Sequence, residues 1–268
     1  MSHARPLARS ARAALAASAT STRLTRAEAG LLLAVLALFL GALALPPLAQ
    51  DPSYHRFADS RFLLGVPNAL DVLSNLGFLA GGVWGLAQVV RDRLFFFSPA
   101  LKPCATVAFA GFVLTAAGSA CYHLAPSDAG LVLDRLGMVV VFAALLGMAA
   151  VQRISDRAGV CLLVLALALG PVCVSIWQSH GNLTPYAVMQ YGGIALLLAM
   201  LAAPARGPGP NWTALIATYA LAKGFEATDA AVFELTGHLV SGHTLKHLTA
   251  ALAVVAIATA LDVRRWRP

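Results

Sequence analysis

Two histidine-bearing stretches hold the chemistry this chain could perform. The first is Gly118-Ser119-Ala120-Cys121-Tyr122-His123, followed eleven residues after His123 by Asp134. Ser119 and His123 stand at i and i+4, on one face of a helix. The second is His243-Thr244-Leu245-Lys246-His247, another i, i+4 pair. Two histidines at that spacing can chelate one ion from a single helix. With His123 added, three imidazoles, one carboxylate and one hydroxyl can converge. Three neutral nitrogen ligands leave an ion's charge undiminished and a fourth position open. Such an ion lowers the pKa of water from ~15.7 to about 7 and polarises a carbonyl. A carboxylate not spent as a ligand can then act as general base. A hydroxyl donor at a developing oxyanion is worth ~2.7–4 kcal/mol in comparable sites. The chemistry so assembled is hydrolysis of a poor electrophile such as an amide.

The elements that must position these groups are membrane helices. The chain is 59% hydrophobic and 12% charged, against about 25% charged in ordinary soluble domains. Its mean hydropathy is +0.76. The apolar runs are long and lack period-2 alternation, so helices are expected rather than a barrel. The reading is an all-α polytopic bundle of eight spans: 28–48, 68–90, 103–123, 130–151, 158–178, 185–203, 211–228 and 242–263. Pro46-Pro47, Pro67, Arg91-Asp92-Arg93, the 152–157 loop, Gly181 to Pro185 and the 205–210 Gly/Pro run punctuate them. Residues 1–27, rich in Arg, Ser and Ala, read as a basic disordered cytoplasmic tail, although their composition also resembles a transit peptide. Residues 28–263 form one domain. A cleaved signal peptide at 28–48 is the alternative to a retained first span.

Charge sets the expected orientation. With the N-terminus inside, inner segments hold Arg5, Arg9, Arg12, Arg23, Arg26, Arg91, Arg93, Lys102, Arg153, Arg157, Arg206, Arg264, Arg265 and Arg267; outer loops hold only Arg56 and Arg61. Both termini are then cytoplasmic and the histidines lie toward the exoplasmic face, with the cell (inner) membrane as the expected location. The +7 formal charge follows from this topology and does not call for nucleic acid. Nothing in the sequence requires an obligate protein partner. Cys104, Cys121, Cys161 and Cys173 lack zinc-knuckle spacing and read as small apolar residues. His55, His180 and His238 fall in loops and read as surface histidines.

Charges inside membrane helices cost roughly 2.5–3.5 kcal/mol each on insertion scales and usually face a cavity or a partner. Asp71, Asp134, Arg135, Lys223, Glu226, Asp229 and Lys246 all fall in the outer half of their segments. That co-location implies a polar cavity opening outward above an apolar floor. Asp71, Ser74 and Asn75 share a face at i, i+3 and i+4, suited to the cavity wall or to interhelical hydrogen bonds. Lys223 and Glu226, at i and i+3, suit an ion pair at the same wall.

Ser119-x-x-x-His123, then Asp134, then His243-x-x-x-His247 on the last helix, with Ser74-Asn75 on an earlier one, resembles the alkaline ceramidases. These belong to a wider superfamily of membrane hydrolases that includes the adiponectin and progestin receptors. The likeness covers residues 68–250. It implies a seven-helix core, here the second to eighth spans, with the 28–48 helix as an extra. It implies zinc on His123, His243 and His247, Asp134 holding or deprotonating the attacking water, and Ser119 facing the carbonyl. The reaction implied is cleavage of the N-acyl amide of ceramide or phytoceramide to a sphingoid base and a fatty acid. Animal members carry an acidic calcium-binding segment before the first core helix. Here Phe57-Ala58-Asp59-Ser60-Arg61-Phe62-Leu63-Leu64-Gly65 is poor in acids, and calcium is not expected.

Alternative readings of the same residues are a zinc hydrolase for another acyl lipid, a non-enzymatic bundle binding haem or a metal ion, and a receptor-like protein with a silent site.

Overall fold

The structure is a computed structural model and describes residues 23–265. Most of the 1–27 tail thus lies outside the described residues. Among the described residues the chain is all-helical, without a strand. Helix α1 is Arg26–Ala44. It starts on a capping box, in which Thr25 accepts from the Glu28 amide and Glu28 from the Thr25 amide. It stops short of the expected residue 48 because Leu45 precedes Pro46, which disfavours the helical conformation.

The expected 68–90 helix is two pieces, α2 (Ala69–Ser74) and α3 (Leu76–Val90). The break has a local cause. Ser74 Oγ and Asn75 Nδ2 both donate to the Asp71 carbonyl, at 2.9 and 2.8 Å, and compete with the backbone ladder. Helices α4 (Leu101–Leu124), α5 (Asp128–Arg153), α6 (Asp156–His180) and α7 (Thr184–Leu201) follow. Then come α8 (Trp212–Ala227) and a short α9 (Asp229–Leu235), which lies in a stretch expected to be loop. The last span is α10 (Gly242–Ala251) and α11 (Ala253–Ala260), broken at Leu252. Ser127, Ser155, Asn211 and Ser241 cap the starts of α5, α6, α8 and α10.

Seven segments are long and apolar enough to cross a membrane: α1, α2–α3, α4, α5, α6, α7 and α10–α11. The 16-residue α8 is not among them, which differs from the expected eight. It nevertheless runs the length of the bundle. At one end Trp212 Nε1 donates to Gln152 at 2.6 Å. At the other, Glu226 accepts from Lys246 at 2.8 Å.

Hydrogen bonds define the same two ends for the other helices. At the first, Arg157 pairs with Glu28, Phe95 N donates to Leu261 O, and Arg206 reaches the Val151 carbonyl and Asp156. At the second, Thr184 donates to Pro46 O, Ala58 N to Asp229, Asn68 to the His123 carbonyl, and Thr244 to Asp71. The two histidine stretches share this second end. Between the ends the interior is apolar, with Leu101, Phe109, Met148 and Ile257 buried. Leu33, Leu36, Val164 and Leu198 face outward, as a hydrocarbon surround would demand.

One close approach fixes the site's register. A Cβ on Gly118 would lie 2.3 Å from the Leu133 carbonyl oxygen, a backbone atom that cannot swing away. The missing side chain lets α4 touch α5 and sets Ser119 beside Asp134. Gly118→Ala is expected to destabilise by ~1–3 kcal/mol through overpacking. Gly193→Ala, whose Cβ would meet only Leu146 at 3.6 Å, serves as the control. Thermal midpoints in detergent check this: the first variant should melt several degrees lower and the second should not.

Candidate metal centre

His123 closes α4, and His243 and His247 open α10. All three are buried, and their ligand nitrogens lie within 4.8 Å of one another. The ring centroids form a near-equilateral group, at 4.8, 4.9 and 4.9 Å. Such a group could hold a metal ion.

The surroundings orient the rings. His247 Nδ1 lies 2.8 Å from Ser74 Oγ and 3.2 Å from the Asp71 carbonyl. Ser74 Oγ already donates to that carbonyl, so it accepts from the imidazole. The proton is thereby assigned to Nδ1, and Nε2 keeps its lone pair for the cluster. His123 Nδ1 is buried with no hydrogen-bond partner among the described residues, a cost that a ligand would remove. His243 is placed through its backbone, whose N–H donates to Asp229 Oδ1 at 2.7 Å. The donor set and its supports therefore fit a cation.

Asp71, Ser74 and Asn75 prove to be one unit. The Asp71 carboxylate accepts from Thr244 Oγ1 at 2.6 Å and Ser241 Oγ at 3.3 Å, tying α2 to the start of α10. Its carbonyl takes Ser74, Asn75 and His247. Ser119 is buried one helical turn before His123 on the same face and is placed to hydrogen-bond the Asp134 carboxylate. Asp134 is also buried, and no ion pair joins it to Arg135 among the described residues. Lys223 and Glu226 do pair, and Glu226 also takes Lys246. Lys246 Nζ lies 3.3 Å from His243 Nε2, linking that wall to the triad.

The connection between α1 and α2 supplies groups that sequence reasoning missed. The Phe57 ring centroid lies 4.5 Å from that of His123 and 5.0 Å from that of His243, so the loop roofs the cluster. Tyr54 Oη lies 3.4 Å from Glu226 Oε1. Removal from water, the largest cause, raises the Tyr54 phenol to about 12, so it stays a donor at neutral pH. His55, expected on the surface, is half-buried: Nδ1 lies 3.0 Å from Tyr122 Oη and Nε2 3.2 Å from Asp128. Asp59, the one acid of the 57–65 segment, is engaged by Arg61 at 2.7 and 2.6 Å. A loop with no periodicity gave no signal for Tyr54 or Phe57. The aromatic density of Tyr54, Phe57 and Phe62 between two spans was the only hint.

No protein-family model matches this chain, and no curated protein matches it.

Ser74→Ala should keep the fold, since Ser74 ends a helix, and should weaken metal affinity about 10- to 100-fold, the usual effect of losing a ligand's supporting hydrogen bond. His243→Ala or His247→Ala should abolish stoichiometric binding. Metal content after dialysis against graded chelator measures both effects.

Proposed function

We propose that this chain is an integral membrane zinc-dependent amidohydrolase that cleaves the N-acyl amide of a ceramide-class lipid. The observation that carries the reading is the triad itself: three buried imidazoles from α4 and α10, with the Ser119–Asp134 pair on the adjoining helix faces. An all-imidazole set with an open position suits zinc in a catalytic role. It suits haem poorly. A haem's two axial nitrogens lie on opposite faces of the macrocycle, and here a third nitrogen stands within the same 4.8 Å. Another acyl lipid would use the same groups, since chain choice rests on the apolar walls.

His123, His243 and His247 would hold the ion. When bound, zinc supplies Lewis acidity, polarising the carbonyl and acidifying water. Asp134, outside the ligand set, accepts the proton of the attacking water and returns it to the departing amine nitrogen. Once Asp134 holds that proton it no longer needs the Ser119 hydroxyl as a donor, and Ser119 Oγ–H donates to the oxygen on which negative charge develops. Lys246 already donates to Glu226 at 2.8 Å and would rely on that partner were the His243 lone pair given to a metal. Phe57 keeps bulk water from the reacting groups. The products are a fatty acid and a sphingoid base.

The same reading takes α8 as a short eighth span and α1 as an extra helix before a seven-helix core. The arginine-rich end is cytoplasmic, both termini with it, and the site faces the exoplasmic side of the cell membrane. A reporter fused after Pro268 should then report the cytoplasm, and one inserted near Ser127 the outside.

Asp134→Asn tests the mechanism. It keeps the size and one acceptor but removes basicity. The variant should fold, bind one zinc, and lose on the order of 10²–10⁴ in turnover on a ceramide panel. Near-normal fatty acid release would remove Asp134 from the reaction, and loss of zinc would make it a metal support.

A further inference from the structure

Arg135 is a cation that the proposed chemistry does not use. It follows Asp134 on α5 and is 4% exposed. Its guanidinium carbon lies 3.9 Å from the Trp177 ring centroid and 4.8 Å from that of Tyr186, so α6 and α7 bring π faces to the charge. Both rings are themselves buried. Along the guanidinium edge, Nη2 donates to Gln50 Oε1 in the α1–α2 loop. Nη1 is buried with no hydrogen-bond partner among the described residues. No carboxylate forms an ion pair with Arg135 among the described residues. Asp134 is turned to Ser119, and Glu226 is held by two lysines.

The result is a guanidinium that lies over two aromatic rings and keeps one buried terminal nitrogen, Nη1, without a partner among the described residues. Stacked rings fix the plane of a guanidinium, and its donor fork matches the oxygens of a carboxylate or phosphate. Position says which part of a ligand would reach it. Successive helical residues are ~1.5 Å apart along the axis and about 100° apart around it, so Arg135 lies beside the proposed base at the same depth. An anion there belongs to the lipid's head, close to the scissile amide, and not to its acyl tail.

We infer that Arg135, seated between Trp177 and Tyr186 with Gln50 at its edge, is a headgroup subsite for an oxyanion carried by the substrate. The preferred substrates are lipid amides with a carboxylate or phosphate on the head. Uncharged ceramide is then the weaker ligand. The inference rests on the amidase reading only for where the scissile bond lies; the anion preference itself is a property of binding.

Binding therefore tests it without turnover. The full chain, metal removed by chelator, is titrated in one non-ionic detergent with N-oleoylglycine against neutral N-oleoylethanolamine, and with ceramide 1-phosphate against ceramide. Native mass spectrometry reads the occupancy. At least one anionic member should bind roughly tenfold or more tighter than its neutral partner, as one charge-assisted hydrogen bond implies. The pair showing the larger ratio identifies carboxylate or phosphate as the head. Arg135→Gln should erase the preference. Gln50→Glu, a loop change that sets a carboxylate against the guanidinium edge, should erase it too and decides the matter should Arg135→Gln not fold. Equal binding of both members in the unaltered chain, or a preference unchanged in a folded variant, overturns the inference. Absence of hydrolysis by zinc-loaded protein with the binding preference intact would instead count against the amidase reading.

Discussion

The site depends on Asp71. A polar group inside hydrocarbon must find its partner in the protein, because no water is there to serve. Asp71 supplies partners in two directions at once. Its carboxylate takes the hydroxyls of Ser241 and Thr244 at the start of α10, where a helix N-terminus also favours negative charge. Its carbonyl takes Ser74, Asn75 and the ring of His247. One residue therefore bears on both the height of the last span and the tautomer of His247 on it. The triad draws on α4 and α10, and a slip of one helical residue, ~1.5 Å, would separate its nitrogens. The break in the α2–α3 helix belongs to the same arrangement, since the side chains that hold Asp71 are those that interrupt the ladder.

Much of this was legible in the sequence, for physical reasons. Hydrocarbon thickness sets span length, so apolar runs showed the helices from 68 to 201 within a few residues of where they lie. The i, i+4 spacing showed which histidines share a face, and polar residues recurring at one end of alternating helices showed that the faces meet. Three things were not legible. The breaks at Asn75 and Leu252 depend on which hydrogen bonds win locally, and hydropathy does not register them. The helix at 211–228 was legible as a helix; that it has only 16 residues, Trp212–Ala227, and is not among the segments long enough to cross a membrane was not. The loop over the site has no period at all, so the placement of Phe57 across two imidazoles follows only from the folded chain.

The two halves of the bundle are stabilised differently. Away from the site, helices approach through small residues. A Cβ on Gly82 would meet α4 backbone at 2.8 Å, and one on Gly159 the Gly147 carbonyl at the same distance. Dispersion between close backbones suits a medium in which burying apolar surface brings little gain. Near the site, hydrogen bonds and ion pairs take over: Asp229 joins the loop to α10, and Glu226 joins α8 to α10 through Lys246. The apolar half is thus held by close backbone approach at particular glycines, and the polar half by side-chain hydrogen bonds and ion pairs.

The Phe57 roof has a consequence for how such a site would be supplied. On the lipid-hydrolase reading, the Phe57 ring over two of the imidazoles would leave a long-chain substrate to enter sideways, between helices. Supply is then a two-dimensional process. Encounter rates would follow the mole fraction of lipid in the surrounding leaflet, not its amount per volume of solution, and diluting the bilayer with inert lipid would slow the protein even at constant total substrate.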